Sequence, residues 1–107
     1  MASVESLLAL MKKGTDSALL RYSLAAEMCK QNDLAGALPH AQKAVQMQPD
    51  FSAAWKLLGK ILAASGDTAT AAEAYSRGIE VATTRGDKQA VKEMQVFLKR
   101  LQGTHDK

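Results

Sequence analysis

Residues 55–75 read WKLLGKILAASGDTATAAEAY, and the order of large and small side chains in this stretch decides the fold. Trp55, Leu58 and Leu62 stand at i, i+3 and i+7, a spacing that lines one face of an α-helix. Gly59 sits among them and leaves a gap where a neighbouring backbone can approach. Ser65-Gly66-Asp67 then breaks the pattern as a turn, and Ala71 and Tyr75 answer from a second helix. The stretch therefore predicts an all-α chain built from antiparallel helical hairpins.

The spacing of aspartates extends that prediction. Asp16, Asp33, Asp50, Asp67 and Asp87 each precede an apolar-periodic run, and the first four are 17 residues apart. Aspartate favours this position because its carboxylate accepts from the free N–H groups of the first turn and complements the helix dipole. Gly14, Asn32, Gly66 and Gly86 precede four of these residues as candidates for the left-handed position that closes a helix, and Pro49 precedes the fifth. Helix starts are expected within about two residues of each aspartate.

Two such intervals make a 34-residue period, and the apolar code obeys it. Leu24, Ala25 and Met28 match Leu58, Gly59 and Leu62, while Ala37, Ala41 and Ala44 match Ala71, Tyr75 and Gly78. Arg21 takes the place of Trp55 in the first copy. Pro39 falls inside the helix expected after Asp33, near its start and on its open side. Trp55 is expected at the centre of the second hairpin, touching the helices at 34–47 and 68–83, with Glu73 and Arg77 as an i,i+4 ion pair outside it. Asp87 comes three residues later than a strict rhythm allows, which predicts a longer turn over Thr83-Thr84-Arg85-Gly86.

These residues resemble the tetratricopeptide repeat, whose pattern is W-x2-L-G-x2-Y, then A-x3-F, then P, with a period of about 34 residues. Leu62 stands for the Tyr, Tyr75 for the Phe and Thr83 for the Pro, while Pro49 keeps the family position in the first copy. The ending GDKQAVKEMQVFLKRL makes the whole chain look like small stand-alone bacterial members of that family, whose role is undefined. The resemblance implies a short right-handed superhelix within one domain, 1–107. Its parts are an N-terminal helix at 3–13, repeat one at 16–49, repeat two at 50–83, a capping helix at 87–102 and a frayed tail at 103–107.

Composition narrows the function. A single cysteine, Cys29, rules out an internal disulfide framework and suits a reducing compartment, so the expected location is cytoplasmic. The apolar segment from Val4 to Met11 is short, contains the acidic Glu5, has no basic stretch ahead of it and no cleavage pattern, and so reads as a helix of the mature protein. No apolar run reaches the roughly 18 residues of a membrane span. A net charge of +3 with dispersed bases does not suggest nucleic acid.

Catalytic constellations are missing from the sequence. Cys29 has for company only His40, on another expected helix, and His105 in the tail, so neither a nucleophile–base pair nor metal-ligand spacing arises. Arg85-Gly86-Asp87 spells a cell-adhesion tripeptide, yet the Gly and Asp already serve as helix stop and helix cap. No cofactor is expected, and the chain reads as a non-enzyme.

One surface stands out. On the helix at 51–64 a single sector holds Ala53, Lys56, Lys60, Ala63 and Ala64, a narrow basic strip with little bulk. In tetratricopeptide proteins the first helix of each hairpin lines a concave groove, and the resemblance puts Leu19, Tyr22, Ala26, Cys29 and Lys30 beside that strip. The implied site is therefore a groove of Tyr22, Ala26, Cys29, Lys30, Lys56, Lys60 and Ala63. It would bind an extended or helical protein or peptide segment carrying acidic groups, as an adaptor or assembly factor. Some family members clamp a partner's C-terminal carboxylate with Lys and Asn, but Tyr22, Ala26 and Leu57 occupy three of those positions here. The alternative reading is a self-associating structural module, a homodimer formed through an uncovered apolar face.

Overall fold

The computed structural model describes residues 3–103, and these form six α-helices and no strand. They are α1 Val4–Lys12, α2 Ala18–Lys30, α3 Leu34–Met47, α4 Ser52–Ala64, α5 Thr68–Arg85 and α6 Lys88–Gly103. Of the expected tail at 103–107, residues 104–107 lie outside the described part, and His105 with them.

Helix starts fall where the aspartates place them, but the aspartates divide the work in two. Asp33, Asp67 and Asp87 accept from the backbone N–H of Gly36, Thr70 and Ala90 at 2.9, 3.2 and 3.1 Å, each satisfying a donor that the first turn leaves free. Ahead of α2 that task passes to Ser17, whose hydroxyl accepts from Leu20 N–H at 3.0 Å. Asp16, freed from capping, takes both Nε and Nη2 of Arg21 at 2.9 Å. Phe51 begins α4 with no side-chain cap at all. Asp50 instead receives Arg85 from the end of α5, at 3.1 Å on its carbonyl and 3.3 Å on its carboxylate.

The expected helix stops hold as a group. Gly14, Gly66 and Gly86 have φ of 90°, 90° and 74°, and Asn32 joins them at 61°, the one non-glycine residue of positive φ among the described residues. The turn before α6 is shorter than the sequence suggested. Thr83, Thr84 and Arg85 belong to α5, which runs on until Gly86 closes it in the left-handed conformation; within this last turn the two hydroxyls donate back to the carbonyls of Ile79 and Glu80 at 2.7 and 3.0 Å. Pro39 is exposed within α3, so the Ala35 carbonyl that it cannot bond remains open to water.

Each helix packs most closely on its neighbour in the chain, α2 with α3, α4 with α5 and α5 with α6, so the molecule is an elongated up-and-down array of 48 × 29 × 22 Å. The 34-residue period reappears as burial. Leu24, Ala25, Met28, Ala37, Ala41 and Ala44 are buried in the first hairpin, and Leu58, Gly59, Leu62, Ala71, Tyr75 and Gly78 in the second. Volumes compensate between the two copies. Where Ala25 and Ala41 are both small, Gly59 yields its whole side-chain space to Tyr75, so that a Cβ at Gly59 would stand 2.5 Å from the ring.

Trp55 does not take the central place expected of it. It is half-buried, while Leu24, Ile61 and Met94 are the largest side chains wholly out of water. Its indole N–H donates to the Pro49 carbonyl at 2.7 Å, which fixes the ring at the edge of the hairpin against the α3–α4 turn. Arg77 turns to this ring, with its guanidinium 5.6 Å from the centroid, and not to Glu73 as the i,i+4 spacing suggested. A flat guanidinium over an indole face accounts for that choice.

Candidate functional site

The first helices of the two hairpins, α2 and α4, lie against one another, and α6 continues the row on the other side of α4. This row carries the residues singled out in the sequence. Ala26, Cys29 and Ala63 are half-buried on it, which keeps that part of the surface low. Tyr22 is half-buried as well and is less free than expected, since its ring packs on Phe51 with centroids 5.1 Å apart. Lys30 is exposed and paired within its own helix to Glu27 at 3.1 Å.

The two lysines of the strip have separate fates. Lys56 donates to Glu93 of α6 at 2.7 Å, whereas Lys60, one turn later, lies over the Phe97 ring of the same helix at 5.4 Å. Lys60 makes no ion pair among the described residues. Phe97 is held from behind by Tyr75, centroids 5.7 Å apart, and is also approached by Arg100 at 5.9 Å.

Glu93 and Phe97 were not foreseen, though the signal was present. Lys56 precedes Glu93 by 37 residues, and Lys60 precedes Phe97 by the same interval. That interval is the family period plus the three-residue slip seen at Asp87. Shifting the register of α6 by three would have placed both residues opposite the lysines.

Electrostatics follow from these contacts. Hydrogen bonds from Lys56 and then from Gln89 hold the Glu93 carboxyl below its usual range, with a smaller pull from the Lys60 charge. Burial pushes the Cys29 thiol up, against a smaller opposing pull from Lys60. A raised thiol is a poor nucleophile. His40 contacts Arg21 through Nδ1 at 3.1 Å, so it belongs to the Asp16–Arg21 cluster between α2 and α3. Among the described residues no three His, Cys, Asp or Glu side chains are grouped as a metal site would need.

A sizeable concavity lies apart from the strip. It has a volume of about 570 Å³ and is lined by Trp55, Leu58, Leu62, Glu73, Arg77 and Leu98 among others. Its floor includes Leu58 and Leu62 of α4, and its walls come from the exposed side of α5 and from Leu98 and Gln102 of α6. It presents mainly apolar surface with Glu73 and Arg77 among its lining, and neither Lys56 nor Lys60 borders it.

The tetratricopeptide repeat profile matches residues 29–93. A TPR repeat-containing protein of Pseudomonas aeruginosa is 46% identical over 98 residues, spanning 92% of this chain and 93% of that protein. The solution structure of a Bordetella parapertussis protein superposes with a TM-score of 0.83 at 43% identity, covering 97% of this chain and 90% of the other. YrrB, a TPR protein with an unusual peptide-binding site, shares the fold at 20% identity with a TM-score of 0.63, over 95% of this chain and 60% of its own. With the hairpin period, its buried small positions and these likenesses in agreement, the chain belongs to the tetratricopeptide repeat family.

Proposed function

We propose that this chain is a non-catalytic binding module whose concave face, formed by α2, α4 and α6, holds an extended or helical protein segment carrying acidic groups. The tetratricopeptide fold is in general a fold of protein–protein interaction, and YrrB, which shares the fold, has a peptide-binding site. The choice of face rests on one observation. Lys60 is an exposed ammonium without a carboxylate partner among the described residues, set beside Phe97 and the low surface of Ala26, Cys29 and Ala63. Such a position offers a partner both a charge to meet and room for its backbone.

An adaptor or assembly factor acting in the cytoplasm fits these features. Among the described residues no helix is long and apolar enough to cross a membrane. Self-association has weaker support, because the exposed large apolar side chains, Leu10, Leu19, Met47 and Val96, stand on four different helices. The test is charge reversal. Lys60→Glu should abolish capture of an acidic peptide while circular dichroism and melting temperature stay near wild type. Retention of the peptide at the same salt would remove this face from consideration.

A further inference from the structure

We infer that Glu93 of α6 is an internal competitor for the proposed face: it occupies Lys56, leaves Lys60 as the open cationic position, and must be displaced before a doubly acidic segment binds both lysines. The inference rests on the binding reading above and names the regulation of that site. Lys56 and Lys60 are one turn apart on α4, and α6 meets them in register with Glu93 and Phe97. Only the first lysine is neutralised. Glu93 holds it through Oε1 at 2.7 Å, and Gln89 donates to the other carboxylate oxygen at a long 3.4 Å. Lys60 lies over the Phe97 ring one turn on from the pair, and Arg100 approaches the same ring, so this end of the face carries two cations outside the Lys56–Glu93 pair.

The exchange is physically open. The Lys56 and Glu93 side chains are 29% and 39% exposed, so replacing one carboxylate by another leaves no buried charge unpaired. Exposed ion pairs contribute little, so an incoming acid faces a barrier of a few-fold in affinity rather than a closed lid. The lysine spacing also sets the partner's chemistry. One helical turn separates the two ammonium stems by about 6 Å along the axis, which two acidic side chains match at i,i+4 on a helix or i,i+2 on an extended strand. The fitting ligand is a segment with two carboxylates so placed, one for each lysine.

Fluorescence anisotropy can test this with a labelled, end-blocked peptide of alternating Glu and Leu, and with its Gln counterpart as the neutral control. Glu93→Gln should bind the acidic peptide about three- to fivefold more tightly than wild type at low salt. That gain should fade at high salt and be absent with the neutral peptide. Lys56→Gln, which leaves Glu93 unpaired and repelling the ligand, should bind more weakly than wild type. Binding by wild type with no gain in Glu93→Gln, or an equal gain for the neutral peptide, would overturn the inference and leave the binding reading standing. A fall of several degrees in the melting temperature of Glu93→Gln would make the residue a structural strut and also overturn it. If neither protein binds the acidic peptide, the binding reading fails and this inference with it.

Discussion

Lys56 of α4 and Glu93 of α6 meet at 2.7 Å across 37 residues of chain, and one turn further on Lys60 meets Phe97 at the same interval. These two contacts tie α6 to α4, while Phe97 also packs on Tyr75 of α5, so the last helix is held by both helices of the second hairpin. A double-mutant cycle on Lys56 and Glu93, read by urea denaturation, should give a small favourable coupling, as for solvent-exposed pairs, and one that shrinks with added salt. The swapped variant carrying Lys56→Glu and Glu93→Lys should recover most of what either reversal loses.

Gly59→Ala should destabilise, against the usual helical preference for alanine. The added methyl meets the Tyr75 ring, which is 2% exposed and backed by Phe97, so it cannot swing aside. Overpacking of this kind costs about 1–3 kcal/mol, more than the roughly 1 kcal/mol gained by removing a helical glycine. A lowered melting temperature is expected, and a raised one would refute the packing described.

Trp55 separates two contributions. Trp55→Phe keeps the apolar body and loses the bond to the Pro49 carbonyl, and should cost about 1 kcal/mol. Trp55→Ala should cost about 2 kcal/mol, less than the roughly 3–5 of a fully buried aromatic, because the ring is only half-buried. Chemical denaturation of both variants checks the order.

His40 makes stability depend on pH. Burial first, and the charge of Arg21 second, hold its imidazole below the ordinary 6.5, with Asp16 opposing. As pH falls below 6.5 the unfolded chain takes up the proton before the folded chain does, so stability declines until the lowered folded value is passed. Asp16, itself held below its ordinary 3.8 chiefly by its bond to Arg21, adds a separate loss in more acid solution. Melting temperatures from about pH 7.5 to about pH 5 should fall, and His40→Gln should flatten the slope.

The fold was legible because its signals were local. Caps, left-handed stops and the repeated small positions are properties of short segments, and the buried set follows them from Leu24 to Gly78. Side-chain partners were less legible where a residue had two competent neighbours. Asp16 and Asp50 suit either a helix start or an arginine, and only the folded chain brings Arg21 and Arg85 close enough to decide. Arg77 had Glu73 within reach along its helix, but the indole across the hairpin holds it. At the proposed site, the lysine strip was readable on one helix, whereas Glu93 and Phe97 required the register between α4 and α6.

The most direct measurement is a titration of the isotopically labelled protein with the alternating Glu and Leu peptide, followed by amide chemical shifts. The account predicts saturable shifts concentrated on the shared face of α2, α4 and α6, at Cys29, Lys60 and Phe97, and their loss in Lys60→Glu. Shifts gathered instead around Trp55, Arg77 and Leu98, at the large apolar concavity, or no saturable shifts at all, would contradict it.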